Sequence, residues 1–109
     1  MSNTRLPAVI DRLLVAVNRG DVDAFLAFFA ADGAVDDWGR KFTGAAAIRG
    51  WSEREFIGKQ VSLKVTGFAQ KGDTVSVVTE VGGKGFNGPS RFTFVIDGDK
   101  VREMRIAGD

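Results

Sequence analysis

The stretch from Phe28 to Trp51, FFAADGAVDDWGRKFTGAAAIRGW, decides how the whole 109-residue chain is read. An amphipathic helix runs out in it at Ala30-Ala31, and the chain turns at Asp32-Gly33. Val35 to Trp38 is expected as a short strand carrying two adjacent carboxylates and an indole, Asp36-Asp37-Trp38. Gly39 to Thr43 reads as a turn, and Thr43 or Gly44 opens another helix. That order sets a carboxylate beside large apolar groups, an environment in which a carboxyl group can become a usable base. Successive side chains of a strand point to opposite faces, so at most one of Asp36 and Asp37 faces inward.

Working outward, Leu6 to Arg19 has Pro7 in its first turn and Leu6, Ile10, Leu13, Leu14 and Val17 at helical spacing. Gly20 ends that helix, and Asp21 caps a second one that runs to about Ala31. Its wide apolar face is Val22, Phe25, Leu26, Phe28 and Phe29. A third helix is expected from Ala45 to Phe56, with Ile48, Trp51, Ser52 and Phe56 on one side and Gly58 at its end.

From Val61 the period changes to two. Val61, Leu63 and Val65 alternate with polar residues, Lys71-Gly72-Asp73 turns the chain, and Thr74 to Val81 alternates again. Glycines from Gly82 to Gly88 suggest a bend or wide hairpin around Phe86-Asn87. Phe92, Phe94 and Ile96 are in phase, Asp97-Gly98 signals a hairpin, and Val101, Met104 and Ile106 belong to the closing strand. Helices first and strands after them predict an α+β domain. The expectation is three N-terminal helices on a curved, mainly antiparallel four-stranded sheet, with the short strand near 35–38 beside it. Strand Thr74 to Val81 has apolar residues on both parities (Val75, Val77, Val78, Val81), which predicts a homodimer through the sheet.

Composition narrows the chemistry. The length suits one domain over residues 1–109, and 44% hydrophobic with 27% charged residues is ordinary for a globular protein. A net charge of +1 with dispersed basic residues points to neither nucleic acid nor a membrane surface as partner. With no cysteine and no histidine, thiolate chemistry, histidine-ligated zinc and imidazole catalysis are ruled out. Tyrosine is absent too, so proton transfer falls to Asp, Glu, Lys or Arg, and neither metal nor cofactor is expected. The opening MSNTRLPAV has no long apolar run, so neither a signal peptide nor a membrane span is expected, and the cytoplasm is the default location.

The run RLLVAVNRGDVDAFLAFFAADGAVDDWGRKFTGAAAIRGW resembles the nuclear transport factor 2-like superfamily, in its SnoaL-like and ketosteroid-isomerase-like branch. The marks are Gly20-Asp21, Phe29-Ala30-Ala31-Asp32, Asp36-Asp37 and the helix start from Gly44 to Ile48. The resemblance implies a cystatin-like cone, commonly dimeric, with a pocket between curved sheet and helices. It covers isomerases, cyclases, dehydratases, epoxide hydrolases and non-catalytic adaptors, so it specifies fold more than function. In ketosteroid isomerase, whose site is itself a standard worked case of pKa tuning, the first-strand aspartate is the general base. The matching position is Asp37. The tyrosine of that site falls near Leu13, and its oxyanion aspartate at Phe92 or Thr93, so both donors are missing. One such donor contributes roughly 2.7–4 kcal/mol to transition-state stabilisation. Histidine-dependent dehydratase chemistry is excluded, and Arg91-Phe92-Thr93 lacks the second acid of the epoxide-hydrolase pattern.

Asp37 is therefore the candidate catalytic residue; the plainer reading makes Asp36 and Asp37 surface or turn-capping carboxylates. A pocket is expected against Trp38, Trp51 and Phe56, with Val17, Phe29, Phe92, Phe94 and Met104 completing its walls, although simple core packing would use the same aromatics. Glu55, one turn beyond Trp51, is placed at the pocket mouth or paired with Arg54 or Lys59. Glu80 is placed in the pocket wall, with Arg91 or Arg102 as ion-pair partner. The glycines of 82–88 precede a strand and lack the lysine-serine ending of a phosphate loop, so they read as a hairpin over the pocket entrance. Three functions remain open: a cofactor-free isomerase, cyclase or dehydratase with Asp37 as base, a binder of a small apolar molecule, and a dimeric scaffold.

Overall fold

The computed structural model describes residues 5–108; the reading of the residues before Arg5 lies outside them. Helices α1 (Ala8–Asn18) and α2 (Val22–Ala27) precede strands β1 (Phe29–Asp37) and β2 (Arg40–Thr43). Helix α3 (Ala45–Glu55) and a 3-10 turn (Ile57–Lys59) lead into β3 (Ser62–Lys71), β4 (Thr74–Gly82), β5 (Gly88–Asp97) and β6 (Lys100–Gly108). The strands form a single six-stranded mixed sheet in the order β2-β1-β6-β5-β4-β3, with β1 parallel to β6 and every other pair antiparallel.

The sheet corrects the expectation of four strands and of a second helix reaching Ala31. Helix α2 stops at Ala27, and Phe29 is already paired with Val101. Three alanines, an aspartate and a glycine give Ala30 to Ala34 no strand propensity of their own. Pairing along β6 imposes the strand there, with a register shift between Phe29 and Ala34 where the chain is poorest in β-formers. Strand β2 was expected as part of a turn. The turn is only Trp38-Gly39, whose φ values of 54° and 91° have the sign that a two-residue hairpin of type I′ requires. Asp37 and Arg40 are thereby placed directly opposite each other.

Local chemistry explains most boundaries. Asp21 accepts a hydrogen bond from the Ala24 N–H at 3.1 Å, capping α2. At the end of α1 the Asn18 amide donates to the Leu63 carbonyl (3.0 Å) and accepts from its N–H (2.7 Å), tying the helix to the edge strand. On β6, Ile96 pairs with Val101 but Val95 with Glu103, so Arg102 is an extra residue. That bulge explains the three-residue step from Val101 to Met104: both face the core, with Ile106 back in phase.

The core lies between the concave sheet face and the helices. Ile10, Leu13, Leu14 and Val17 of α1, with Ile48 and Trp51 of α3, are buried against Val75, Val77, Phe92, Phe94, Met104 and Ile106. Burial of this apolar surface is the main favourable contribution to folding. Much of the expected hollow is filled. Val17, Phe29, Phe94 and Met104, expected to line a pocket, are core residues, with Phe94 and Met104 fully buried. No helix among the described residues is long and apolar enough to cross a membrane.

Candidate functional site

The pairing of β1 with β6 settles which acid faces inward. Val35 lies beside Met104 and Asp37 beside Ile106, both buried, so Asp37 shares the concave face. Asp36 lies beside the exposed Arg105 on the opposite face, where its Oδ1 accepts from the Gly39 N–H at 2.8 Å and stabilises the hairpin turn. Turn-capping is therefore right for Asp36 and does not extend to Asp37.

Asp37 is held from two sides. Its Oδ2 accepts from the Trp51 indole N–H at 3.0 Å and from Arg40 Nη2 at 2.6 Å, whereas Oδ1 takes no donor among the described residues. Arg40 turns the same guanidinium to Glu55 in a bidentate pair, Nη2 to Oε1 at 2.7 Å and Nη1 to Oε2 at 3.0 Å. This clasp ties the tip of the β1–β2 hairpin to the end of α3. Hydrogen bonding to Glu55 and then to Asp37 pushes the Arg40 pKa further up, and hydrogen bonding to Arg40 lowers that of Glu55. Glu55 is thus paired with Arg40 rather than with Arg54 or Lys59.

Beside Asp37 lies a cavity of about 60 Å³, room for about two water molecules. Trp51 and Phe56 are stacked with ring centroids 4.8 Å apart, and Phe92 lies 6.1 Å from Phe56. Val61, Val81 and Ile106 complete the apolar wall, and Ser90 contributes a hydroxyl. The exposed lining residues Trp38, Lys59 and Phe86 mark the mouth. Trp38 is 62% exposed, and its ring lies on the bare backbone of Gly108, where any Cβ would come within 2.8 Å of it.

Of the residues expected at the site, Asp37, Trp38, Trp51, Glu55, Phe56 and Phe92 are brought together around this cavity. Val17, Phe29, Phe94 and Met104 are not. Glu80 requires an outright correction. It pairs in register with Lys64 and lies exposed on the convex side, because Val77, Thr79 and Val81 take the inward parity of β4. Its neighbour Arg91, also outward, donates to Ser76 Oγ at 2.7 Å. The positions matching the missing isomerase donors are apolar in place: Leu13 is fully buried and Phe92 faces inward.

Sequence reading overlooked Arg40, Lys59 and Ser90, whereas the hairpin expected around Phe86-Asn87 over the pocket entrance does bring Phe86 to the mouth. Arg40 was discoverable from the Trp38-Gly39 hairpin signal, which sets residues 37 and 40 opposite each other. Ser90 was discoverable from parity, being in phase with Phe92 and Phe94. Lys59 is joined to the mouth by tertiary contact, with the Lys84 N–H donating to its carbonyl at 2.8 Å, and no local pattern announces it.

A larger open groove of about 720 Å³ lies at the other end of the sheet, between the start of α1 and the β3–β4 and β5–β6 turns. Its charged residues are of both signs (Arg12, Asp73, Asp99, Lys100), and the Lys100 amine is already bound to the Ala27 carbonyl at 2.7 Å. The cavity at Asp37 is the better site: aromatic walls enclose a carboxylate and a hydroxyl that converge on one small volume. Among the described residues no acidic cluster suited to a metal ion is present.

A SnoaL-like domain sequence model matches residues 10–106. No curated protein sequence matches the chain. Among solved structures, a polyketide-cyclase-like protein of Sinorhizobium meliloti is 23% identical, with a TM-score of 0.83 over 94% of this chain and 95% of that one. A Catenulispora acidiphila protein with a ketosteroid isomerase-like fold, in complex with trimethylamine, is also 23% identical, with a TM-score of 0.77 over 94% and 86% of the two chains. An uncharacterised cystatin-fold protein of Novosphingobium aromaticivorans is 16% identical, with a TM-score of 0.79 over 91% and 94%. At these identities the likeness is one of fold.

Proposed function

The chain belongs to the SnoaL-like domain family, and we propose that it binds a small molecule in the cavity beside Asp37, with that carboxylate as polar anchor. One observation carries the reading. Asp37 is turned into the concave face, only 15% exposed, against the stacked pair Trp51 and Phe56. A half-buried carboxylate with one oxygen uncommitted, on aromatic walls, is an arrangement for holding a ligand. The neighbour crystallised with trimethylamine supports ligands of modest size in this fold. The volume of about 60 Å³ is far below the roughly 300–1,000 Å³ of pockets for drug-sized ligands, so a steroid-sized molecule does not fit without movement of the walls.

The test is an amide-shift titration with a panel of small polar fragments. Shifts should concentrate at Asp37, Trp51 and Phe92, and Asp37→Asn should weaken them. Shifts confined to the groove between α1 and the distal turns would overturn the assignment.

A second reading, cofactor-free proton transfer by Asp37 as in isomerases and cyclases, is favoured by the uncommitted Oδ1. Against it stands the apolar character of the Leu13 and Phe92 positions. Deuterium exchange at the α-carbon of a bound ketone separates the two readings, since catalysis requires exchange that Asp37→Asn abolishes. We also propose a homodimer through the convex sheet face, where the half-buried Val78 and Val95 lie among short side chains such as Ala69, Ser76 and Thr93.

A further inference from the structure

Ser90 is the residue of this site that no established role accounts for. It is 2% exposed, yet its hydroxyl makes no hydrogen bond with any described residue. Its backbone carbonyl is used, accepting from Thr79 Oγ1 at 3.3 Å. A sealed hydroxyl without a partner costs about 1–3 kcal/mol. No described polar side-chain atom is both sealed and unpartnered, so the Ser90 hydroxyl keeps its accessible surface where the residue lines the cavity.

The geometry across the sheet relates Ser90 to Asp37. Asp37 lies beside Ile106 of β6, which pairs with Phe92 of β5, and Ser90 is the next inward residue along β5. Two strand spacings and one inward step put the two Cα atoms about 12 Å apart. With a short side chain reaching inward from each, a ligand of a few heavy atoms spans the remainder. Gly108, opposite Ser90 on β6, has no side chain of its own, and the Trp38 ring packs on its backbone and walls the cavity on that side.

We propose that Ser90 is the second polar anchor of the cavity and that the ligand is a small molecule with two oxygen functions. One is a hydroxyl that donates to Asp37 Oδ1; the other is a carbonyl or hydroxyl oxygen that receives the Ser90 hydroxyl proton. The class is thus a short hydroxy-carbonyl or diol. This rests on the reading that the cavity beside Asp37 binds a ligand. It goes further in assigning a donor to the cavity although this chain's positions matching the isomerase donors, Leu13 and Phe92, are apolar.

The experiment uses two probes of matched size, hydroxyacetone and 2-butanone, titrated into the full chain and followed by amide shifts. Hydroxyacetone should shift the amides around Asp37, Ser90 and Gly108 and bind about tenfold more tightly than 2-butanone. Ser90→Ala should weaken hydroxyacetone about five- to tenfold, the loss of one hydrogen bond, and should weaken 2-butanone, which keeps the carbonyl, by a similar factor. The variant should fold with undiminished thermal stability, because no intramolecular bond is removed. Ser90→Thr, which keeps the hydroxyl, should keep most of the affinity for hydroxyacetone that Ser90→Ala loses. Equal affinity of Ser90→Ala and wild type for hydroxyacetone overturns the role of Ser90. Under that result, sensitivity to Asp37→Asn would still uphold the cavity as the binding site. Absence of shifts at Asp37 and Ser90 with both probes overturns the two readings together.

Discussion

Replacing Trp51 with Phe probes the contact on which the site is built. The variant keeps an aromatic ring against Phe56 and removes the indole N–H that Asp37 Oδ2 receives at 3.0 Å. A hydrogen bond to a charged acceptor is worth about 1.5–3 kcal/mol. The smaller ring leaves roughly 40 Å³, which at about 24 cal/mol per Å³ adds about 1 kcal/mol. Because Arg40 remains on the same oxygen, Asp37 is not stranded, and the lower half of the range applies. The expected loss is about 2.5–3 kcal/mol, a fall of about 10–13 °C in Tm for a domain of this size. Urea denaturation followed by circular dichroism measures it without relying on the altered fluorophore. The cavity contribution is present with or without the acid, so a double-mutant cycle with Asp37→Ala isolates the hydrogen bond. We expect a coupling of about 1–2 kcal/mol. A coupling within about 0.3 kcal/mol of zero would refute the view that Trp51 holds Asp37 in place.

Three further outcomes follow from the same geometry. Arg40 holds the Glu55 pKa below its ordinary 4.5, so this pair contributes stability above that value and loses it as pH falls through the lowered one. Wild type should therefore lose slightly more stability than Glu55→Gln between about pH 5 and 3; with Glu55 37% exposed the difference stays under about 1 kcal/mol, and parallel urea profiles would exclude it. Gly58→Ala puts a Cβ 1.7 Å from the Glu53 carbonyl oxygen and should cost about 2–3 kcal/mol or more, whereas Gly67→Ala, with open space around it, should be near neutral; similar melting temperatures for the two would contradict this close approach of Gly58 to the last turn of α3. Val78→Asp on the convex face should convert a dimer into a folded monomer in sedimentation analysis, and a wild type that is monomeric at every concentration would remove the dimer proposal.

Local signals carried the helices, the hairpins and the inward residues of β4 to β6, because caps, turn glycines and a period of two are written in adjacent residues. Asp21, the Gly72 and Gly98 turns, and Val75, Val77, Phe92 and Phe94 are cases of this. Strands β1 and β2 were harder to read. Ala30 to Ala34 of β1 are poor strand formers, the pairing that makes β1 a strand comes from β6, some seventy residues later, and β2 in turn pairs with β1 alone.

What the sequence alone determined about this protein is its α+β class, its family and the exclusion of histidine, cysteine and tyrosine chemistry, since these follow from composition and local pattern. The tertiary structure decided the rest of the site. Register with β6 chose Asp37 over Asp36, parity sent Glu80 to the convex face, and packing filled most of the cone and left only a small cavity. Adjacent acids are alike in a sequence; only a neighbouring strand tells one face of a sheet from the other.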